Sequence, residues 1–386
     1  MLRESGLRRM RDVLGGHVAS GTAPGLVALV GDGTRTHVET FGSVERDTIF
    51  RLASLSKPLT AAATMILVEE CRSRLDDPVD EWLPELANRR VLTRIDAPLD
   101  ETVPARRAIT VRDLLTQTPG FGLVLAAPGT YPIQTALHEL SVTSDGTSAW
   151  PTLDQDEWLK RLGSVPLMYQ PGERWQYHIS SDVLGVLISR VAGQSFEAFL
   201  QERLCAPLGM KDTGFSVPAG QLHRLPASYA HDPSGALTVW DSAADGKYSR
   251  PPSFQAGGDG LVSTVDDYNA FFRDAAGLDS AFPRLDGPDD DGPPDAVAEG
   301  GKGPVRRPLR AARGLRVRHG GADAPAGPGA HRPIRLGRGP GDHGLCRSVG
   351  LPRDPAFAGS ARLAVDHRPA PRLLDLRLSG GRVGLS

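Results

Sequence analysis

Ser54-Leu55-Ser56-Lys57, in the stretch FRLASLSKPLTAAATMILVEE, sets a hydroxyl and an amine three positions apart where a helix begins. Residues at that spacing share one helical face, so the amine comes within hydrogen-bond reach of the hydroxyl without help from distant chain. A serine hydroxyl is a poor nucleophile near neutral pH, and a positioned base contributes ~10²–10⁴-fold to its reaction. Ser54 and Lys57 therefore read as a nucleophile and part of its base system. Tyr177 is the second candidate. In YQPGERWQYHISSDVLGVLISRVAG it follows a Pro-Gly turn and precedes a helix with apolar residues at 183, 184, 187, 188 and 191, closed by Gly193. A phenol can take the serine's proton when a neighbouring cation favours its ionised form, as Lys57 would.

The elements that must position these groups are legible in outline. Pro58 is tolerated in a first helical turn, and Leu59, Ala62, Ala63, Ile66 and Leu67 supply the apolar face of the serine helix. Upstream, a helix is expected over 2–19, then two strands joined at Gly31-Asp32-Gly33, a strong hairpin signal. Residues 75–240 alternate helices with long Pro- and Gly-containing loops. His178 reads as a loop residue without a catalytic task, and the run from Gly257 to Thr264 as a tight turn whose glycines are structural.

As an ordered set, FRLASLSKP, LDDPVDEWLPE, ITVRDLLTQTPGFG, YQPGERWQY, the Asp182-to-Gly193 helix, CAPLGMKDTGF and GGDGLVSTVDDYNAFFR resemble the serine β-lactamase and penicillin-binding-protein superfamily. The resemblance covers about residues 1–273 and is nearest to the carboxylesterases of β-lactamase fold, which are similar to class C β-lactamases. It implies an α+β, β-lactamase/transpeptidase-like fold, with an antiparallel sheet flanked by helices (about 1–50 and 240–273) and an all-helical part (about 54–240). It also implies Ser54 as the acylated nucleophile, Lys57 as the residue that lowers its proton affinity and Tyr177 as general base. Where class C enzymes carry Asn two residues after the tyrosine, this chain has Ile179, so an amide that would hold the lysine and the substrate is missing. That favours esters over β-lactams. The loop from Ala126 to Pro151 would border the acyl pocket, with Trp150 or Tyr131 as pocket walls or as core packing.

In this family a second oxyanion donor comes from a strand carrying a third motif, K-T-G, H-x-G or W-x-G, expected after residue 273. There the composition changes. Among residues 274–386 are 17 Arg, 20 Gly and 14 Pro, with one Ile and no Trp, Tyr or Met. Such a segment reads as poorly ordered. Codons permitted for LGRGPGDHGLCRS, read one nucleotide forward, encode a W-x-G motif and a hairpin-like continuation. The same offset turns RGLRVRHGGAD and the stretch from Leu373 to Val383 into plausible sequence of the family, the last ending in a stop. A frameshift near residue 273 is the expectation, and His319-Gly320-Gly321 is then an echo of another frame.

Net charge of −2 gives no electrostatic case for nucleic acid. Cys71, Cys205 and Cys346 have neither metal-ligand spacing nor an even count. The expected partner is a small-molecule ester or amide, with no cofactor, metal or membrane. The first residues lack the roughly 7–15-residue apolar core of a secretion signal, which points to the cytoplasm. Three functions are consistent with these residues: an esterase, a β-lactamase or D-alanyl-D-alanine carboxypeptidase, and a homologue made inactive by loss of the third motif.

Overall fold

The computed structural model describes residues 2–143, 153–232 and 237–275, and the backbone of residues 362–367. The N-terminal helix α1 (Glu4–Ala19) leads into the hairpin of β1 (Gly25–Gly31) and β2 (Thr36–Gly42). The Asp32 carboxylate makes the turn by accepting the backbone N–H groups of Thr34 and Arg35, at 3.2 and 3.0 Å. Register runs from Gly25 opposite Gly42 to Gly31 opposite Thr36. Nearly all of β1 is buried, whereas β2 is largely exposed or half-buried.

A short β3 (Phe50–Arg51) and one 3₁₀ turn (Ala53–Leu55) precede α2 (Ser56–Glu69). The hairpin of β4 (Arg90–Leu92) and β5 (Thr102–Pro104) is followed by α3 (Val111–Leu115), α4 (Pro132–Glu139), α5 (Gln155–Ser164) and α6 (Ile179–Ala192). Next, α7 (Phe196–Leu200) continues through a π turn into α8 (Ala206–Leu208). The hairpin of β6 (Ser228–His231) and β7 (Leu237–Asp241) precedes β8 (Val262–Ser263), which pairs with β3, and α9 (Val265–Ala275). Among the described residues no single helix is long and apolar enough to cross a membrane.

Helix α6 is the axis of the molecule's packing. Its residues 179–189 are all buried, the mark of a helix enclosed on every side. Ile179, Val183, Leu184, Val186 and Leu187 join a core with Trp158, Leu159 and Ile133. Ile188 joins a second core with Leu59, Phe196, Phe199 and Tyr268. Helix α2 lies beside α6, so the serine helix and the tyrosine-bearing entry to α6 are neighbours by construction.

The expected fold is present: small antiparallel sheets flanked by helices, with a helical part. The tail, expected to be poorly ordered and to leave the sheet without its central strands, contributes β9 (Arg362–His367) at the sheet edge, paired parallel to β1 from Leu26–Arg362 to Gly31–His367. A sheet edge with unpaired N–H and C=O groups recruits extended chain whatever its origin, and the side of β1 away from β2 is such an edge. His319-Gly320-Gly321, Trp150, Cys346 and the rest of the tail lie outside the described residues.

Candidate active site

Ser54 sits in the 3₁₀ turn and Lys57 in the first turn of α2. Ala53, just before the serine, is held at φ +45°, a conformation non-glycine residues rarely adopt. Four tertiary hydrogen bonds brace the turn. Leu52 N–H donates to Leu261 O (2.8 Å), Leu261 N–H to Ser56 Oγ (3.1 Å), Tyr268 Oη to Leu55 O (2.9 Å) and Thr60 Oγ1 to Gly257 O (2.7 Å). Ser56, Thr60 and Thr64 form a buried hydroxyl stripe along α2, one helical turn apart. Gly257 presses on this stripe so closely that a Cβ there would lie 2.2 Å from Ser181 O and 2.9 Å from Thr60 Cγ2.

Tyr177 and His178 form the entry to α6, and the loop after α3 holds them. Gln117 O accepts Gln176 N–H at 2.7 Å, Gln117 Oε1 accepts His178 N–H at 3.1 Å, and Leu123 N–H donates to Tyr177 O at 2.8 Å. His178 has φ +85° and ψ −72°, and Ile179 N–H reaches back to Tyr177 O at 3.3 Å. This is the rare γ-turn with positive φ. Such strain costs about 1–3 kcal/mol and persists only where the surroundings over-determine it.

These turns bring the three predicted groups together. Ser54 Oγ lies 2.5 Å from Tyr177 Oη and 3.1 Å from Lys57 Nζ. Lys57 Nζ also stands 4.6 Å from the centroid of the Tyr177 ring, on its face. The lysine has two further acceptors, Gly258 O at 2.7 Å and His178 Nδ1 at 3.1 Å. Three acceptors match the three N–H bonds of an ammonium. With its oxygen accepting from Lys57, Ser54 has its own proton to donate to Tyr177 Oη, which is the direction of transfer that activates a nucleophile.

Two sequence readings need correction. His178 is a site residue and no bystander: the γ-turn swings its imidazole toward Lys57 while turning Ile179, 1% exposed, into the helical core. Ile179 therefore lines no substrate wall, and the lysine that lacks an amide partner is met by an imidazole. The glycine turn at 257–260 is also more than structural, because its Gly258 carbonyl is a ligand of Lys57. Neither role is written in local periodicity, since both depend on positive φ or on contacts some 200 residues apart. Tyr131 is partly buried against the helical core at the start of α4, consistent with its packing role.

The far side of His178 is acidic. Its Nε2 lies 3.5 Å from Asp182 Oδ2 and 4.0 Å from Asp259 Oδ2, and Gly258 N–H donates to Asp182 Oδ1 at 2.8 Å. Burial first, and the Lys57 charge second, depress His178 to about 4, against the pull of Asp259. Burial, with Asp259 next, raises the Asp182 carboxyl well above the carboxylate range. Ligand atoms of His178, Asp182 and Asp259 lie within 4.8 Å of one another, so a cation could lodge here, although Lys57 already faces the other ring nitrogen. Beside the site Trp175, 59% exposed, stacks on Tyr177 with ring centroids 5.7 Å apart.

A family profile described as Beta-lactamase matches residues 10–335. The chain belongs to the beta-lactamase family. Among curated members of known sequence it is 40% identical over 230 residues to Protein Rv1367c of Mycobacterium tuberculosis, covering 60% of this chain and 54% of that one. It is 32% identical over 239 residues to Esterase EstB of Burkholderia gladioli, covering 58% and 56%. The chain thus spans about half the length of the curated relatives it matches. Among solved structures it resembles EstCE1, described as a hydrolase with promiscuous acyltransferase activity, at 25% identity and TM-score 0.57 over 69% of this chain and 71% of that one. It therefore sits in a family of serine hydrolases with esterase and acyltransferase members.

Proposed function

We propose that this chain cleaves carboxylic esters through an acyl-enzyme on Ser54, with Tyr177 as general base and Lys57 as the cation that keeps the phenol ready to accept a proton. The reading rests on one observation above all, the 2.5 Å approach of Ser54 Oγ to Tyr177 Oη with Lys57 Nζ 3.1 Å from the same serine oxygen. Tyr177 takes the serine proton as Oγ bonds to the ester carbonyl carbon. It returns that proton to the departing alkoxide as the C–O bond breaks, and water then repeats the sequence to release the acid. The likeness to an esterase and to a hydrolase with acyltransferase activity supports ester substrates, and a small alcohol can replace water as the acyl acceptor. The exposed Trp175, stacked on Tyr177, favours an apolar acyl or alcohol group. Ile179, standing where class C enzymes carry Asn, offers no amide to recognise a β-lactam, which weighs against the β-lactamase and carboxypeptidase readings.

Residues 2–275 carry the acylating half of this site. We further propose that the second oxyanion donor is encoded in the shifted frame, so that the chain as written turns over ester slowly. Loss of one such donor typically costs ~10²–10³ in kcat. Both chains, as written and with one nucleotide corrected near codon 273, should be assayed with p-nitrophenyl butyrate and nitrocefin. The expected result is ester hydrolysis raised at least about a hundredfold by the correction, with kcat/KM for the ester above that for nitrocefin. Equal activity of the two chains defeats the frameshift, and a preference for nitrocefin defeats the esterase.

A further inference from the structure

The activated state of Lys57 depends on which of its neighbours can accept a hydrogen bond. Ser54 Oγ and Gly258 O are acceptors in any protonation state of the site, but His178 Nδ1 accepts only when the ring is neutral with its proton on Nε2. The surroundings impose that tautomer. Lys57, from α2, faces Nδ1 at 3.1 Å; Asp182, from α6, and Asp259, from the glycine turn, face Nε2 at 3.5 and 4.0 Å. Tyr177, the remaining titratable neighbour, lies with its ring centroid 5.8 Å from the imidazole, and Gln117 takes the backbone N–H. An ammonium can only donate, so Lys57 at Nδ1 leaves the ring proton on Nε2, on the side of Asp259 and the buried Asp182 carboxyl. The γ-turn that aims the imidazole is strained, so the contact is maintained against a local cost.

We propose that His178 is a positioning residue for catalysis: its Nδ1, an acceptor because the ring proton lies on Nε2 toward Asp259, supplies a third ligand that holds Lys57 as an ammonium between Ser54 and Tyr177. The role is distinct from the roles of Ser54, Lys57 and Tyr177, and it rests on the esterase reading only for its consequence in the reaction. Neutrality of the ring follows from its burial and from the Lys57 charge.

The test uses the full chain with two readouts. Reactivity of the Lys57 amine with acetic anhydride at pH 8 is followed by peptide mass spectrometry in a Ser54→Ala background, which makes it independent of hydrolase chemistry. Phosphonylation of Ser54 by a fluorophosphonate, in which Oγ bonds to phosphorus and fluoride leaves, is followed from about pH 5 to 10 with Ser54 intact. His178→Gly keeps the backbone conformation and removes the ring; His178→Asn, a residue tolerant of positive φ, keeps an acceptor. Removing an acceptor from the ammonium should make Lys57 about tenfold more reactive in His178→Gly, with the alkaline limb of Ser54 labelling moved down by about one pH unit. His178→Asn should remain within about threefold of the native chain. Added imidazole should reverse part of the glycine variant's change. Unchanged Lys57 reactivity in His178→Gly overturns the proposal, as does equal disturbance by Asn and Gly. A shifted lysine with no Ser54 labelling in the native chain overturns the esterase reading and leaves the positioning role standing.

Discussion

The two turns that meet at the nucleophile are built on different principles. Ser54 and Lys57 are joined by three residues of one helical start, so their 3.1 Å contact follows from local geometry once α2 forms. Tyr177 and His178 reach the same point through a γ-turn at φ +85°, pinned by Gln117 on one side and by the buried start of α6 on the other. The first arrangement keeps the serine–lysine contact within one helical start, with its strain at Ala53, φ +45°, one residue before the proposed nucleophile. The second puts its strain on His178 itself, the residue whose ring meets Lys57, which on the proposed mechanism places the adjustable part of the site on α6's entry.

If both turns act as one unit, removing either should cost nearly as much as removing both. Ser54→Ala should abolish fluorophosphonate labelling outright. Lys57→Ala and Tyr177→Phe should each slow it by ~10²–10⁴, and the double variant should be no slower than the worse single. Losses that multiply would show two independent contributions and break the comparison.

A smaller effect probes the seam between the turns. Gly257→Ala drives a methyl toward Ser181 O, at 2.2 Å, and into Thr60. It should cost about 1–3 kcal/mol in thermal unfolding and slow Ser54 labelling by displacing the Gly258 carbonyl. Destabilisation without any change in labelling would mean that the glycine turn supports the fold alone.

The smallest expected effect isolates the strained turn by its proton affinity. His178 binds a proton less readily folded, at about 4, than at its ordinary 6.5. Between those values the unfolded chain takes up a proton that the folded chain refuses, so stability falls as pH falls through this window and levels off below it. Relative to His178→Asn, the native chain should lose about 1–3 kcal/mol between pH 6.5 and 4 in urea unfolding. The raised proton affinity of Asp182 acts in the opposite direction. Parallel curves would place the imidazole in solvent.

What could be read from the chain divides along the same line. Ser54, Lys57 and the apolar face of α2 follow from spacing; the Asp32 turn and the Gly193 terminus of α6, at φ +71°, follow from residue type. Tyr177 follows from the family resemblance; periodicity alone predicts only the helix after it. His178 was misread because a γ-turn reverses which side chain faces the site, and nothing in a period of 3.6 announces it. The hydroxyl stripe Ser56, Thr60 and Thr64 was hidden for a related reason, since threonine in a helix is ordinarily a surface residue and becomes interior here only because a glycine backbone arrives against it. The edge position of β9 could not be foreseen from composition, because pairing with β1 is a property of the edge and not of the strand it accepts.

Among the ligands of Lys57 the Gly258 carbonyl lies farthest along the chain, 201 residues from it. At synthesis rates of about 5–20 residues per second, roughly 10–40 s separate emergence of the lysine from that of its last partner. Throughout that interval Ser54 lacks the completed set of Lys57 contacts. If Ser54 is the nucleophile we propose, it is armed only by the late arrival of a glycine backbone, and the order of translation then acts as a safety catch on its chemistry.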